Sequence, residues 1–183
     1  MRFLDRLSGC AQRENDREPA GRIWMTGFYK QPVEGAVWLG RLGLEGDGHA
    51  DLEHHGGYEK AVLAYSNCHY PFWKKTFAMD PVFGGFGENF TIDELEENLV
   101  CIGDVYRVGE AQLQVSQPRR PCWKLSKRWQ VRDLALHVQN SGKTGWYFRV
   151  LMEGCVQSGA SFELIKRPNP EWTIAIVNEI MYH

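Results

Sequence analysis

The chain has 183 residues, 43% hydrophobic and 24% charged, which is enough for one folded domain with its own core and excludes a wholly disordered chain. Lys and Arg number 21 against 23 Asp and Glu, a net charge of −2 that argues against a globally basic nucleic-acid binder. No apolar run nears the ~18 residues of a membrane span, residues 1–16 lack the apolar stretch of a secretory signal, and the five cysteines contain no CxxC pair, so a cytoplasmic setting is expected.

Nineteen glycines fall singly or in pairs between short apolar runs, predicting many short strands and tight turns. Strands are expected over 35–42 and 61–65. Ser66 suits the N-cap of a helix reaching residue 77, with Pro71 favouring a break or a late start. Residues 104–116 alternate apolar and polar positions around Gly109-Glu110, as a hairpin does. Pro121 suits the first position of a helix to about residue 128. A second short helix is expected over 131–139, ending near Asn140 and Gly142. Alternation returns at 146–151 and 160–166, and a terminal helix is expected after Pro168 and Pro170. The pattern fits a β-barrel or a sandwich.

Charge is segregated. Residues 88–104 hold six acids and no Lys or Arg, and 119–132 hold six bases and no acid. Such a basic run reads either as a solvated face or as an anion site. Within it stands Gln117-Pro-Arg119-Arg120-Pro-Cys122-Trp-Lys124. Cationic neighbours and a helix start lower a thiol's pKa, and a thiolate is both nucleophile and soft metal ligand. The alternative is a buried, inert cysteine. A second constellation, Asp47 to Gly57, holds His49, Asp51, His54 and His55. It matches neither HExxH nor an EF-hand loop, and reads as a divalent-metal hydrolase site or as a polar turn. The Gly56-Gly57 pair predicts a sharp bend or a close backbone approach to a ligand. Phe86-Gly-Glu88-Asn89-Phe90 is a third polar turn. Nucleotide P-loop, Rossmann, GxSxG and kinase signatures are absent from the sequence.

Four motifs occur in order: Gly43-Leu-Glu-Gly-Asp47, His55-Gly-Gly-Tyr-Glu-Lys60-Ala-Val, Phe86-Gly-Glu-Asn89 and Gln117-Pro-Arg-Arg-Pro-Cys122-Trp-Lys. Over residues 20–166 the chain thereby resembles the MOSC domain family, in its standalone bacterial type. The resemblance implies a mainly-β fold: a β-barrel domain over 1–167 with a few short peripheral helices, and a C-terminal helical appendage over 168–183. It implies a site for the molybdenum cofactor (molybdopterin), with Cys122 as sulfur ligand to the metal. Lys30, Gly56, Gly57, Lys60, Arg119, Arg120 and Lys124 would hold that cofactor, and His55, Glu88 and Asn89 would supply protons or orient substrate. The implied activity is reduction of N-hydroxylated compounds such as hydroxylaminopurines. The sequence carries no flavin, nicotinamide or iron–sulfur signature, so electrons are expected from a separate reductase. Neither a nucleic-acid polymer nor a membrane is an expected partner. A non-catalytic cofactor or sulfur carrier is the alternative.

Overall fold

In the computed structural model, residues 28–47 and 56–182 are described throughout, together with the backbone of three strands, β1 (Leu4–Gly9), β2 (Glu14–Arg17) and β3 (Ile23–Thr26). The remaining strands are β4 (Gln31–Pro32), β5 (Val37–Gly40), β6 (Gly43–Leu44), β7 (Val62–Ser66), β8 (Phe90–Ile92), β9 (Val105–Val108), β10 (Ala111–Pro118), β11 (Trp146–Met152), β12 (Gly154–Val156) and β13 (Phe162–Lys166). Four helices accompany them: α1 (Tyr70–Phe77), α2 (Lys124–Trp129), α3 (Leu134–Asn140) and α4 (Ile174–Tyr182).

Eight strands form one sheet in the order β13-β9-β10-β11-β7-β8-β1-β4. Every described pairing in it is antiparallel except β7 with β8. Among the described residues no ladder joins β13 to β4, so the expected barrel takes the form of a curled half-barrel. A second sheet, β12-β5-β6, and the β2–β3 ladder complete the strands.

Local sequence explains most of this. Along β10 the residues Ala111, Leu113 and Val115 are buried and alternate with half-buried polar ones, the period of a strand with one face on a core. β7 is buried at all five positions because its two faces serve two cores. Val62 and Ala64 face the half-barrel core with Trp146, Phe148, Tyr106 and Phe162, whereas Tyr65 joins a second cluster with Trp73, Phe86 and Leu125. A strand covered on both sides reads as a continuous apolar run, as 61–65 does.

The boundaries differ from expectation in informative ways. The strand expected at 35–42 is shortened to β5, because a turn at 41–42 ends it and leads into its antiparallel partner β6. A 3-10 turn, Asn67–His69, follows Ser66, whose hydroxyl caps Cys68 N at 3.3 Å; α1 then starts late, with Pro71 in its first turn. α2 begins at Lys124 rather than Pro121, because Arg119 N is still bonded to Gly145 O at 3.1 Å as β10 runs out. α3 begins at Leu134 because Asp133 takes a left-handed φ of 56°, which a helix does not allow. β8 and β12, three residues each, were too short for periodicity to reveal.

Residues 168–182 are tied to the half-barrel by main-chain bonds. Ile102 N donates to Trp172 O, Ile174 N to Val100 O and Ala175 N to Glu97 O. Buried Asn178 of α4 donates to Thr144 Oγ1 at 2.8 Å and to Gly142 O at 3.2 Å. Among the described residues no helix is long and apolar enough to cross a membrane.

Candidate functional site

Where β10 gives way to α2, the chain carries Arg119, Arg120, Cys122 and Lys124. Cys122 is a free, half-buried thiol. Cys101, by contrast, is buried, and burial pushes its thiol up. Arg119 is buried: Nη2 donates to Phe86 O at 2.8 Å and the guanidinium lies 5.8 Å from the Phe28 ring centre. Its Nη1 is also buried and has no hydrogen-bond partner. A buried cationic donor left unsatisfied is costly, so this atom points to a missing anionic or carbonyl ligand. Tyr147 completes the group. Burial pushes its phenol up, Arg119 pulls it down and the Cys122 sulfur pushes it up, so the hydroxyl lies in the field of both. Arg120 is exposed beside the buried Tyr182 hydroxyl of α4, without a well-formed hydrogen bond. Lys124 is half-buried at the start of α2, a helix of six residues whose dipole adds little to the site.

A second group stands at the N-terminal ends of the parallel pair β7 and β8. Lys30 Nζ contacts both Asp47 oxygens at 2.6 and 2.7 Å, with the two side chains 5% and 1% exposed. Asn89 Nδ2 donates to Asp47 Oδ2 at 2.6 Å, and Asn89 Oδ1 accepts from Leu63 N at 3.1 Å. Lys30, expected to hold the cofactor, therefore has its charge already matched by Asp47. Asn89 is fixed at both ends of its amide between the Asp47 loop and β7. Leu63 is also the cross-strand partner of Tyr147, which links this group to the Cys122 group through β7 and β11. Gly57, at φ 92°, turns the chain into the 3-10 helix Tyr58–Lys60, and so places Lys60 half-buried at the head of β7. Gly56 precedes it.

Glu88 has a different place from the one expected. It is fully buried, and its carboxylate accepts from Gly84 N at 2.9 Å, Phe86 N at 2.8 Å, Thr91 Oγ1 at 3.3 Å and the Tyr70 hydroxyl. Burial raises its pKa and these bonds oppose the rise. It shapes the 84–88 turn, and that turn offers Phe86 O to Arg119. The expected role of supplying protons or orienting substrate is corrected accordingly for Glu88: its oxygens are enclosed by their donors.

His55, like His49, Asp51 and His54, lies outside the described residues. Among the described residues no group of three or more His, Cys, Asp and Glu converges as a metal site would require. Tyr147, Phe28 and Tyr182 escaped sequence reasoning as site residues. Asp47 stood in it as the start of the possible metal-binding stretch and the end of the first motif, not as the partner of Lys30 and Asn89.

The MOSC domain family matches residues 51–163. The chain is 49% identical to YflK of Bacillus subtilis (strain 168) over 163 residues, covering 89% of this chain and 74% of that protein. It is 43% identical to YiiM of Escherichia coli (strain K12) over 171 residues, covering 91% and 74%. A protein named reductase from Gibberella moniliformis (strain M3125 / FGSC 7600) is 36% identical over 158 residues, covering 84% of this chain and 28% of its own length. The crystal structure of YiiM from Geobacillus stearothermophilus superimposes with a TM-score of 0.82 at 34% identity, covering all of this chain and 85% of that one. MOSC domains are associated with the molybdenum cofactor. With the half-barrel, the ordered motifs and the cysteine at the end of β10 all in place, the chain belongs to the MOSC domain family.

Proposed function

We propose that this protein is a molybdenum-cofactor-dependent oxidoreductase that reduces N-hydroxylated compounds, hydroxylaminopurines among them, with electrons from a separate reductase. One observation carries the reading: a half-buried free thiol, Cys122, shares its surroundings with a buried guanidinium whose Nη1 has no partner. The donor set fits the group. A thiolate is the soft ligand that a dithiolene-bound metal accepts, and Arg119, Arg120 and Lys124 offer the charge-assisted donors that a phosphate takes. When bound, the cofactor supplies an oxophilic metal centre able to exchange two electrons.

The net reaction, R–NHOH + 2 e⁻ + 2 H⁺ → R–NH₂ + H₂O, requires two protons at the substrate. Burial keeps the Tyr147 phenol protonated, so its hydroxyl would serve as a hydrogen-bond donor within the field of Arg119 and Cys122. His55 is assigned as the proton source on the strength of its motif. Glu88 acts by accepting the Phe86 N–H and so shaping the turn whose Phe86 carbonyl takes Arg119, and Asn89, clamped by Asp47 and Leu63, fixes the head of β7. Lys60 and the Gly56-Gly57 bend would line the same end. The reductase-named relative supports the redox assignment.

The test is expression in cells able and unable to make the cofactor, followed by molybdenum analysis and hydroxylaminopurine reduction. Molybdenum is expected only from the competent cells, and turnover only with an added redox protein. Cys122→Ser is expected to lose both metal and activity while shifting stability by less than about 0.5 kcal/mol, because the change is nearly isosteric. Full activity in that variant, or brisk turnover on NADPH alone, overturns the assignment. Cofactor binding with no reduction of any N-hydroxy substrate selects the carrier instead.

A further inference from the structure

Charge is divided between two parts of the molecule. Helices α1, α2 and α3 pack on a common core: Trp73, Leu125, Leu134 and Val138 meet Tyr65 and Phe86, and the Phe77 and His137 rings lie 4.8 Å apart. The segments that make this helical layer, residues 70–80 and 119–143, hold nine Lys and Arg against two Asp and Glu, a net +7. The rest of the sequence holds 12 against 21, a net −9. The layer's two acids each lie against one of its own cations, Asp80 at 2.6 Å from Lys74 and Asp133 at 3.3 Å from Arg132.

The layer also exposes large apolar side chains. Trp123 is 57% exposed, and Phe72 and Leu136 are exposed as well. Lys127 Nζ stands 5.3 Å from the Trp123 ring centre, and Lys143 Nζ stands 5.3 Å from that of Phe72. Exposed rings set in a field of one sign suit a protein partner of the opposite sign. A net +7 on one side and −9 elsewhere makes the molecule strongly dipolar, which turns the α1–α3 face towards an acidic partner and speeds their encounter. A nucleic-acid polymer would also meet the acidic remainder, and the chain as a whole is not basic. Cys122 directly precedes Trp123, so the loop that bears the sulfur belongs to this same face.

We propose that the α1–α3 face docks an acidic electron-carrier protein, with Trp123 in the contact and Lys127 and Arg132 among the cations that meet its carboxylates. The proposal rests on the redox reading above and names the surface by which the electrons arrive. Two carrier molecules each give up one electron, and these, with two protons from water, convert one R–NHOH into R–NH₂ and H₂O.

Calorimetric titration of the cofactor-free full chain with flavodoxin, an acidic carrier, and with cytochrome c, a basic one, tests the surface. Flavodoxin is expected to bind with a Kd of about 100 μM or tighter at about 10 mM salt, and about tenfold more weakly at about 100 mM, where the Debye length has shrunk from about 30 Å to about 10 Å. Cytochrome c is expected not to bind. Lys127→Glu/Arg132→Glu is expected to weaken flavodoxin binding about tenfold, and it keeps its fold because the Arg132 side chain is 95% exposed and Lys127 half-exposed. Arg107→Glu/Lys166→Glu makes the same change of net charge on exposed residues of β9 and β13 and is expected to leave the Kd within about twofold. In the loaded enzyme Lys127→Glu/Arg132→Glu raises the KM for flavodoxin and leaves kcat unchanged. Absence of flavodoxin binding, binding that ignores salt, equal binding of cytochrome c or of oligouridylate, or equal weakening in the two double variants each overturns the proposal. Because binding is measured without cofactor, its failure strikes this surface alone, whereas molybdenum content that ignores the expression host strikes the redox reading.

Discussion

Glu88 shows how much one side chain decides. The residue reads from the sequence as half of an exposed polar turn, yet it is the carboxylate around which residues 84–91 are organised. Glu88→Gln keeps the shape but offers one acceptor oxygen to donors that now share two, at a cost of about 1–3 kcal/mol. The pH dependence has a definite sign. Burial raises the carboxyl above its ordinary 4.5, so the folded state binds that proton more tightly than the unfolded chain. The stability this adds is complete below pH 4.5 and is lost as pH rises through the raised value. The gap between wild type and Glu88→Gln is therefore expected to narrow as the pH rises above 4.5 in paired urea melts. A gap that widens with pH would contradict the burial argument.

Between elements, the contact that sets the site is the one between the end of β10 and the start of β11. Gly145 accepts Arg119 N through its carbonyl and donates its own N–H to Glu97. It adopts φ 74°, and a Cβ there would press into the Ala64 carbonyl of β7. Gly142, three residues earlier, has φ 69° but open space around it. Gly142→Ala is thus expected to cost about 1 kcal/mol of backbone strain alone, and Gly145→Ala about 2 kcal/mol or more, because a backbone clash is added. Denaturant unfolding of the two variants measures the difference. Equal losses would mean that β7 can move aside.

For the molecule as a whole, the return of the chain from β13 to α4 carries a buried ion pair beside its main-chain bonds. Arg167 Nε and Nη2 bond Asp104 Oδ1 and Oδ2 at 2.9 and 2.7 Å, and Asp104 is fully buried. Arg167→Met leaves that carboxylate without its counter-charge and is expected to cost about 3 kcal/mol, at the lower end for a broken buried pair because Arg167 is partly solvated. The exposed pair Arg107–Glu163, on the same edge of the sheet, is the comparison. Arg107→Met is expected to cost under about 1 kcal/mol. Urea midpoints of the two variants check the contrast, and similar losses would show that burial of Asp104 adds nothing to its pair with Arg167.

What the sequence by itself determined was periodic or covalent. The alternation of 104–116, the unbroken apolar run 61–65 and the stop at Pro168 each report a local backbone preference, so the β9–β10 hairpin, β7 and the terminal helix were legible. Cys122 stood out because its cationic neighbours are sequence neighbours. Tertiary structure decided what depends on distant residues meeting: that Lys30 is neutralised by Asp47, that Glu88 faces inward, that Tyr147 lies in the field of Arg119 and Cys122, and that His69 and Asn178 share a cleft. Burial and charge pairing are properties of neighbourhoods in space, and a chain's order encodes them only through the fold it adopts.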